Sequence, residues 1–246
     1  MKTTKIEWTD KTWNPITGCT KESTGCLHCY AEVMSRRLKA MGLAKYANEF
    51  KVTLHENCLK EPFEWKGNHN IFVCSMSDLF HKDVPFEFVE KVFQVIRQTP
   101  QHRYQILTKR AARMKEYFST HTIPENVWLG VTVEAESTRF RIDYLRDLPA
   151  TVKFLSCEPL VEDLGHIDLS GIDWVIVGGE SGPKARPMKE SWALNIRRQA
   201  EEKGARFFFK QWGTWGADGV KRNKHANGKL LKGEIIQEMP NHVKAG

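Results

Sequence analysis

The stretch Val127 to Val133 (VWLGVTV) decides the fold class, because it is short, rich in β-branched and aromatic residues, and shows little polar alternation. Such a run is typical of a strand buried on both faces of a parallel sheet. Five further runs have the same character: Asn70 to Ser75, Tyr104 to Leu107, Lys153 to Ser156, Trp174 to Val177 and Ala205 to Phe209. A preceding strand-like segment is placed at either Lys5 to Trp8 or Asn14 to Thr17.

Amphipathic segments separate these runs, and they cover Phe86 to Gln98, Ala111 to Phe118, Thr138 to Asp147 and Lys189 to Lys203. Alternation of strands with helices indicates the α/β class. The strand ends recur about every 22 to 31 residues, which is the length of a βα unit. We therefore predict a partial (β/α)6-type barrel with parallel strands over residues 1–212. Residues 213–246 are predicted to form a basic C-terminal loop or hairpin extension packed on the same domain.

The composition of the 246-residue chain is that of an ordinary globular protein, with 41% hydrophobic and 27% charged residues, which excludes a disordered or fibrous protein. The net charge of +7 favours an anionic partner. No apolar run approaches the roughly 20 residues that span a bilayer, and the first ten residues lack the apolar stretch of a signal peptide. We expect a cytoplasmic protein with no membrane partner.

Polar residues follow each predicted strand at its carboxyl end. In parallel βα folds these ends meet on one face, which forms the active-site mouth. The alternative is that some of these residues, such as Asp78 and Glu180, cap the next helix. The residues in question are Ser77, Asp78, Thr108, Lys109, Thr132, Glu134, Ser156, Glu158, Glu180 and Lys210.

The segment Gly18 to Tyr30 (GCTKESTGCLHCY) carries Cys19, Cys26 and Cys29 directly before a helix predicted over Ala31 to Met41. Close cysteine spacing in a reducing compartment indicates metal binding or catalysis rather than disulfides. Structural zinc sites and ordinary iron–sulfur clusters take four protein ligands, so three thiolates favour a cluster with one open iron. An open iron of this kind is what radical S-adenosylmethionine (SAM) chemistry requires.

Two alternatives remain open at this point. A four-ligand zinc site could be completed by His55 or Cys58, or the thiols could be buried without a role. Cys74 and Cys157 lie in apolar strands, where a small core thiol is expected.

The cysteine segment with Tyr30 and four strand ends resembles the phage- and bacterium-borne three-cysteine family of unknown function, over nearly the whole chain. These strand ends are Cys74 to Asp78, Leu107 to Lys109, Ser156 to Pro159 and Gly178 to Glu180. That family is in turn similar to radical SAM enzymes of the spore photoproduct lyase type, a match confined to the cysteine segment and the strand ends. A shorter loop separates the first two cysteines in those enzymes, whereas six residues separate Cys19 from Cys26 here.

The resemblance implies a 4Fe-4S cluster and SAM as cofactors, with an external electron donor. The implied cluster ligands are Cys19, Cys26 and Cys29. The implied SAM-binding residues are Ser77 with its neighbour Asp78 at the amino group, Lys109 at the carboxylate, Tyr30 at the adenine and Thr132 at the ribose.

Three functions could explain the cysteines, the carboxylates or the positive charge of the chain. The first is a radical SAM enzyme whose anionic substrate is nucleic acid or a nucleotide. In this hypothesis Glu134, Glu158 and Glu180 line the substrate mouth, and the basic segment Lys221 to Lys232 attracts the anionic partner. The second is a non-catalytic zinc or iron–sulfur protein that binds nucleic acid. The third, metal-dependent hydrolysis through the same carboxylates and Asp78, leaves the cysteines unexplained.

Overall fold

The computed structural model describes residues 4–241. Its strands are β1 Lys11–Trp13, β2 Ile16–Thr17, β3 Thr53–Leu54, β4 Asn70–Val73, β5 Arg103–Thr108, β6 Val127–Thr132, β7 Val152–Cys157, β8 Trp174–Gly178, β9 Arg206–Gln211, β10 Leu230–Leu231 and β11 Glu234–Ile235. Its α-helices are α1 Tyr30–Ala40, α2 Phe86–Gln98, α3 Ala111–Phe118, α4 Arg141–Arg146, α5 Glu190–Glu202 and α6 Lys224–Asn227. Short 3-10 helices cover Thr24–Cys26, Ala44–Tyr46, Glu56–Glu64 and Glu136–Thr138.

Within residues 4–241 the main sheet has seven parallel strands in the order β1-β4-β5-β6-β7-β8-β9, and it curls into a half-barrel flanked by helices. Each strand of this sheet before β9 therefore pairs with the sheet strand that follows it along the chain. The predicted α/β class and parallel partial barrel are confirmed.

The position predicted for the first barrel strand is wrong. The strand is Lys11–Trp13, which lies between the two predicted segments and pairs with β4 alone. Ile16–Thr17, from the second segment, instead forms a small antiparallel pair with Thr53–Leu54. Lys11–Trp13 has three residues, of which Trp13 alone is buried, so it lacks the apolar run by which the other strands of the sheet were recognised.

The concave face of the half-barrel is filled at its amino-terminal side by an aromatic cluster. The ring of Trp174 lies 6.1 Å from that of Trp8, 6.0 Å from that of Trp128 and 5.6 Å from that of Phe154. Because side chains alternate along a strand, Ser156, two residues after Phe154, lies on the same face, nearer the carboxyl edge. The concave face is thus apolar at the amino-terminal ends of the strands and polar at their carboxyl ends. We call the carboxyl edge of the sheet the mouth.

The segment after β9 packs back on the sheet. The amide of Phe209 donates to the carbonyl of Ile236 at 2.7 Å, and the indole of Trp212 donates to the carbonyl of Leu230 at 2.8 Å. Leu231, in the β10–β11 hairpin, is fully buried against the main core.

Candidate cysteine-lined site at the mouth of the half-barrel

Asp78 joins the end of β4 to the end of β5. Its buried carboxylate accepts hydrogen bonds from the hydroxyl of Thr108 at 2.7 Å, the amides of Phe80 and Lys109 at 3.0 and 3.1 Å, and the guanidinium of Arg110 at 3.0 Å. Both carboxylate oxygens therefore have two donors. Asp78 shapes the mouth through these bonds.

The residues Gly18 to Cys29, which we call the cysteine loop, lie against the mouth. Arg110 holds the first half of this loop: its Nη2 donates to the carbonyl of Thr20 at 3.1 Å and lies 3.4 Å from the carboxylate of Glu22. Its Nη1 lies 3.6 Å from the Sγ of Cys19. The fully buried His81 also bonds the hydroxyl of Thr20, at 2.8 Å.

Glu134 contacts the middle of the cysteine loop. This carboxylate is 0% exposed, it accepts a hydrogen bond from Ser23, and it pairs with Arg141 at 3.0 Å. Gly25 lies so close that an added Cβ would stand 2.8 Å from the Cγ of Glu134. The loop needs a glycine here because no side chain fits between its backbone and the carboxylate.

Glu180 and Arg186 hold the second half of the cysteine loop. Arg186 donates to both oxygens of Glu180, at 2.7 and 2.9 Å, and its Nη2 also donates to the carbonyl of Thr24 at 3.0 Å. The Nδ1 of His28 lies 3.3 Å from the same carboxylate. Burial alone would raise the pKa of Glu180, but the hydrogen bonds from Arg186 and the nearby imidazole of His28 lower it below its ordinary value.

The other predicted mouth residues form two polar pairs. The Nζ of Lys109 stands 3.8 Å from the carboxylate of Glu134, and the Nζ of Lys210 lies 2.8 Å from that of Glu158. The hydroxyl of Ser156 donates to Glu158 at 3.3 Å. The strand ends thus bring alternating cations and carboxylates together on one surface.

Two of the predicted SAM-binding side chains donate to backbone carbonyls, and a third residue accepts through its own carbonyl. The hydroxyl of Ser77 donates to the carbonyl of Ile16 at 2.8 Å, and the hydroxyl of Tyr30 donates to the carbonyl of Ser75. Thr132 is buried at the end of β6, where its carbonyl accepts from Arg141.

Two thiols of the cysteine loop, Cys19 and Cys29, have raised pKa values. Burial and the charge of Asp78 raise the pKa of Cys19 to about 12, against the opposing effect of Arg110. Burial also raises the pKa of Cys29, and a charge on Cys26 raises both values. In residues 4–241 no group of three or more His, Cys, Asp or Glu side chains stands in a metal-binding arrangement. Three cysteine thiols are the ligand type that a three-thiolate cluster requires. To bind it, the thiols of the cysteine loop would have to move closer together and lose their protons.

The residues of the alternative zinc site are engaged elsewhere. His55 bonds the hydroxyl of Thr17 at 2.8 Å, and the Sγ of Cys58 lies 3.1 Å from the Nζ of Lys45. The other two cysteines, Cys74 and Cys157, lie in the apolar core.

Sequence reasoning missed the side chains that hold the cysteine loop in place: Arg110, Arg186, Arg141 and His81. The signal was present for two of them, because Arg110 directly follows Lys109 and Arg186 lies six residues after Glu180. A basic residue close in sequence to a predicted mouth residue lies at the same edge of the sheet, so it is a candidate partner for the carboxylates there.

The basic segment Lys221 to Lys232 has acidic and carbonyl partners. Arg222 pairs with Asp218 at 2.6 Å, Lys229 with Glu7 at 3.2 Å and Lys232 with Glu190 at 2.7 Å. Lys221 donates to the carbonyl of Pro183 at 2.8 Å. Two of the acids lie far away in the sequence, which is why the segment taken alone appears strongly basic.

The fold and the mouth define a parallel α/β half-barrel with a cysteine-rich loop across its carboxyl edge. Residues 3–240 match the model of a family described as a protein of unknown function, DUF5131, and the chain belongs to this family. The resemblance to a family of unknown function is thereby confirmed. No curated protein and no solved structure matches the chain. Among residues 4–241 no helix is long and apolar enough to cross a membrane.

Proposed function

We propose that this protein is a radical SAM-type iron–sulfur enzyme in which Cys19, Cys26 and Cys29 hold a 4Fe-4S cluster. The observation that carries the proposal is the cysteine loop itself, which brings three thiols to the mouth of a parallel half-barrel and is held there by side chains from several strand ends. When bound, such a cluster supplies the one electron that cleaves the sulfonium of SAM into methionine and a 5'-deoxyadenosyl radical. The resemblance of the cysteine segment and the strand ends to radical SAM enzymes of the spore photoproduct lyase type, drawn from the sequence alone, is a second argument for this proposal.

The Lys109–Glu134 pair supports SAM as the ligand. A cation and a carboxylate 3.8 Å apart, too far for a close hydrogen bond, face each other at the mouth. The amino-acid end of SAM carries both charges, so its carboxylate can pair with Lys109. The hydroxyl of Ser77 donates a hydrogen bond to the carbonyl of Ile16, and its oxygen keeps lone pairs that can accept a hydrogen bond from the ammonium of SAM. Tyr30, Asp78 and Thr132 complete the proposed SAM site.

The substrate is assigned to the part of the mouth bordered by the predicted carboxylates Glu134, Glu158 and Glu180, with Lys210 beside Glu158. Glu158 and Lys210 are partly exposed, and their ion pair can be exchanged for polar groups of a substrate. Because the chain carries a net charge of +7, we assign an anionic substrate, with nucleic acid or a nucleotide as the class.

Reconstitution tests the function directly. The protein is loaded anaerobically with iron and sulfide, reduced with dithionite and incubated with SAM, and 5'-deoxyadenosine is measured. We expect a brown protein that forms this product, and loss of iron when any of the three loop cysteines is replaced by Ala. A colourless protein that binds zinc and nucleic acid but cleaves no SAM would overturn the proposal.

Lys109→Ala separates SAM binding from cluster binding. We expect it to retain iron and to bind SAM at least tenfold more weakly, as loss of a charge-assisted hydrogen bond costs about 1.5–3 kcal/mol. Lys115→Ala, which removes a lysine from an exposed pair with Asp147, is the matched control. Equal SAM affinity of the two variants would contradict the role of Lys109.

A further inference from the structure

Cys58 takes no part in the proposed cluster or in the mouth, yet its sulfur lies beside an amine and a carboxylate. The Nζ of Lys45 donates a hydrogen bond to the Sγ of Cys58 at 3.1 Å. The same Nζ lies 3.8 Å from the carboxylate of Glu61. Burial and a hydrogen bond to Glu61 raise the pKa of the Cys58 thiol, against the opposing effect of Lys45. A sulfur, an amine and a proton acceptor therefore meet at one point.

Cys58 and Lys45, which we call the thiol–amine pair, are sheltered at the sulfur and open at the amine. Cys58 is 5% exposed, whereas the side chains of Lys45 and Glu61 are 28% and 35% exposed. Hydrogen peroxide is small enough to approach the sulfur from this open side, and a bulky thiol such as glutathione is not. An oxidised sulfur at this position therefore meets the Lys45 amine before it meets a thiol from solution.

We propose that the thiol–amine pair is a site of oxidative modification, at which a peroxide joins the sulfur of Cys58 to the nitrogen of Lys45. In the first step the sulfur attacks the peroxide, an S–O bond forms, the O–O bond breaks, and water leaves a sulfenic acid behind. In the second step the free amine attacks the sulfur, an S–N bond forms, and the S–O bond breaks with loss of a second water. Overall, the thiol and the amine lose two electrons and two protons, and one hydrogen peroxide is reduced to two waters.

The geometry favours the second step in particular. The nitrogen and the sulfur are 3.1 Å apart, which is within the distance of about 3–3.5 Å at which bound groups are poised to react. The carboxylate of Glu61 lies close enough to the Nζ to take the proton that the amine loses. The first step is slower than at an exposed thiolate, because the raised pKa keeps the thiol protonated. We therefore expect slow oxidation of Cys58 followed by rapid capture.

The position of the thiol–amine pair gives the bond a structural consequence. The segment between its two members, residues 46–57, supports the start of the cysteine loop. The amide of Cys19 donates to the carbonyl of Phe50 at 3.1 Å, and an added Cβ at Gly18 would stand 2.2 Å from the carbonyl oxygen of Lys51. An S–N bond would close this supporting segment into a covalent loop. The inference does not depend on the proposed function, because it requires neither a cluster nor SAM.

Peptide mapping tests the bond. The metal-free protein is treated with hydrogen peroxide, catalase removes the excess, free thiols are alkylated, and the protein is digested with trypsin. Trypsin does not cleave after a modified lysine, so residues 40–51 should remain one peptide, joined to residues 52–60. We expect this joined species to weigh about 2 Da less than its two peptides together, because two hydrogens are lost. Dithiothreitol should separate it again, since a thiol reduces the S–N bond.

Two conservative variants provide the comparison. Lys45→Arg keeps the positive charge but offers a guanidinium that stays protonated, so the joined species should fall to about a tenth of its parental amount or less, and Cys58 should accumulate as the sulfinic acid. Lys39→Arg, which changes a lysine in an exposed pair with Glu49 at 2.8 Å, should link like the parent protein. The proposal is overturned if Cys58 of the parent becomes sulfinic acid without linking to Lys45. It is equally overturned if residues 52–60 of Lys45→Arg are joined to another part of the chain in the parental amount.

Discussion

Replacing Arg110 with Met should destabilise the protein because Arg110 joins β4, β5 and the cysteine loop. The side chains of Arg110 and Asp78 are 8% and 7% exposed, and their charged groups are 3.0 Å apart. Breaking a buried ion pair by removal of one partner costs about 3–5 kcal/mol, since the other charge stays buried. Asp78 keeps its bonds to Thr108, Phe80 and Lys109, so we expect the lower end, about 3 kcal/mol.

Urea unfolding measures this cost. With a slope of about 3 kcal/mol per molar urea, the midpoint should fall by about 1 M. The control is Arg198→Met, which removes an exposed pair with Glu202 worth about 0.3–0.5 kcal/mol. If Arg110→Met unfolds within about 0.5 kcal/mol of the parent protein, Arg110 does not hold the mouth together and the reasoning is refuted.

Three further variants test other parts of the site. Gly25→Ala should cost about 1–3 kcal/mol in urea unfolding, because its Cβ would stand 2.8 Å from the Cγ of the buried Glu134; parental stability would show that the loop moves aside freely. Cys58→Ala should keep the full iron content by metal analysis, and loss of metal from this variant alone would restore the zinc site. The lowered pKa of Glu180 means that its contribution to stability is complete above its unfolded pKa, near 4.3, and is lost as the pH falls through the lower folded value. As the pH is lowered below about 5, the free energy of unfolding should therefore fall less for Glu180→Gln than for the parent protein. If this free energy depends on pH in the same way for both proteins, the role of Arg186 is contradicted.

The sequence predicted β4 to β9 because each of these strands carries its own apolar run. β1 lies at an edge, where three residues with one buried tryptophan suffice, and this pattern is too short to be recognised. The mouth carboxylates were predictable for a similar reason, because chain position relative to a strand end determines on which edge a residue lies.

The partners of those carboxylates could not be predicted in the same way. Ser23 reaches Glu134, and Thr24 reaches Arg186, only because the whole sheet has curled beneath the loop. Such contacts depend on tertiary geometry, which no local pattern contains. The same is true of the basic segment, whose charge is reduced by Glu7 and Glu190 from other parts of the chain.

The contacts of the cysteine loop also imply an order of assembly. Strand neighbours in the sheet follow the order of the chain, so each βα unit can add to the one before it as the polypeptide leaves the ribosome. The loop emerges early, but its contacts with Glu134 and Arg186 span 111 and 162 residues. The thiols therefore reach their final places only after the strand that precedes Glu180 has joined the sheet. The proposed cluster would therefore be inserted late, once synthesis has passed Arg186.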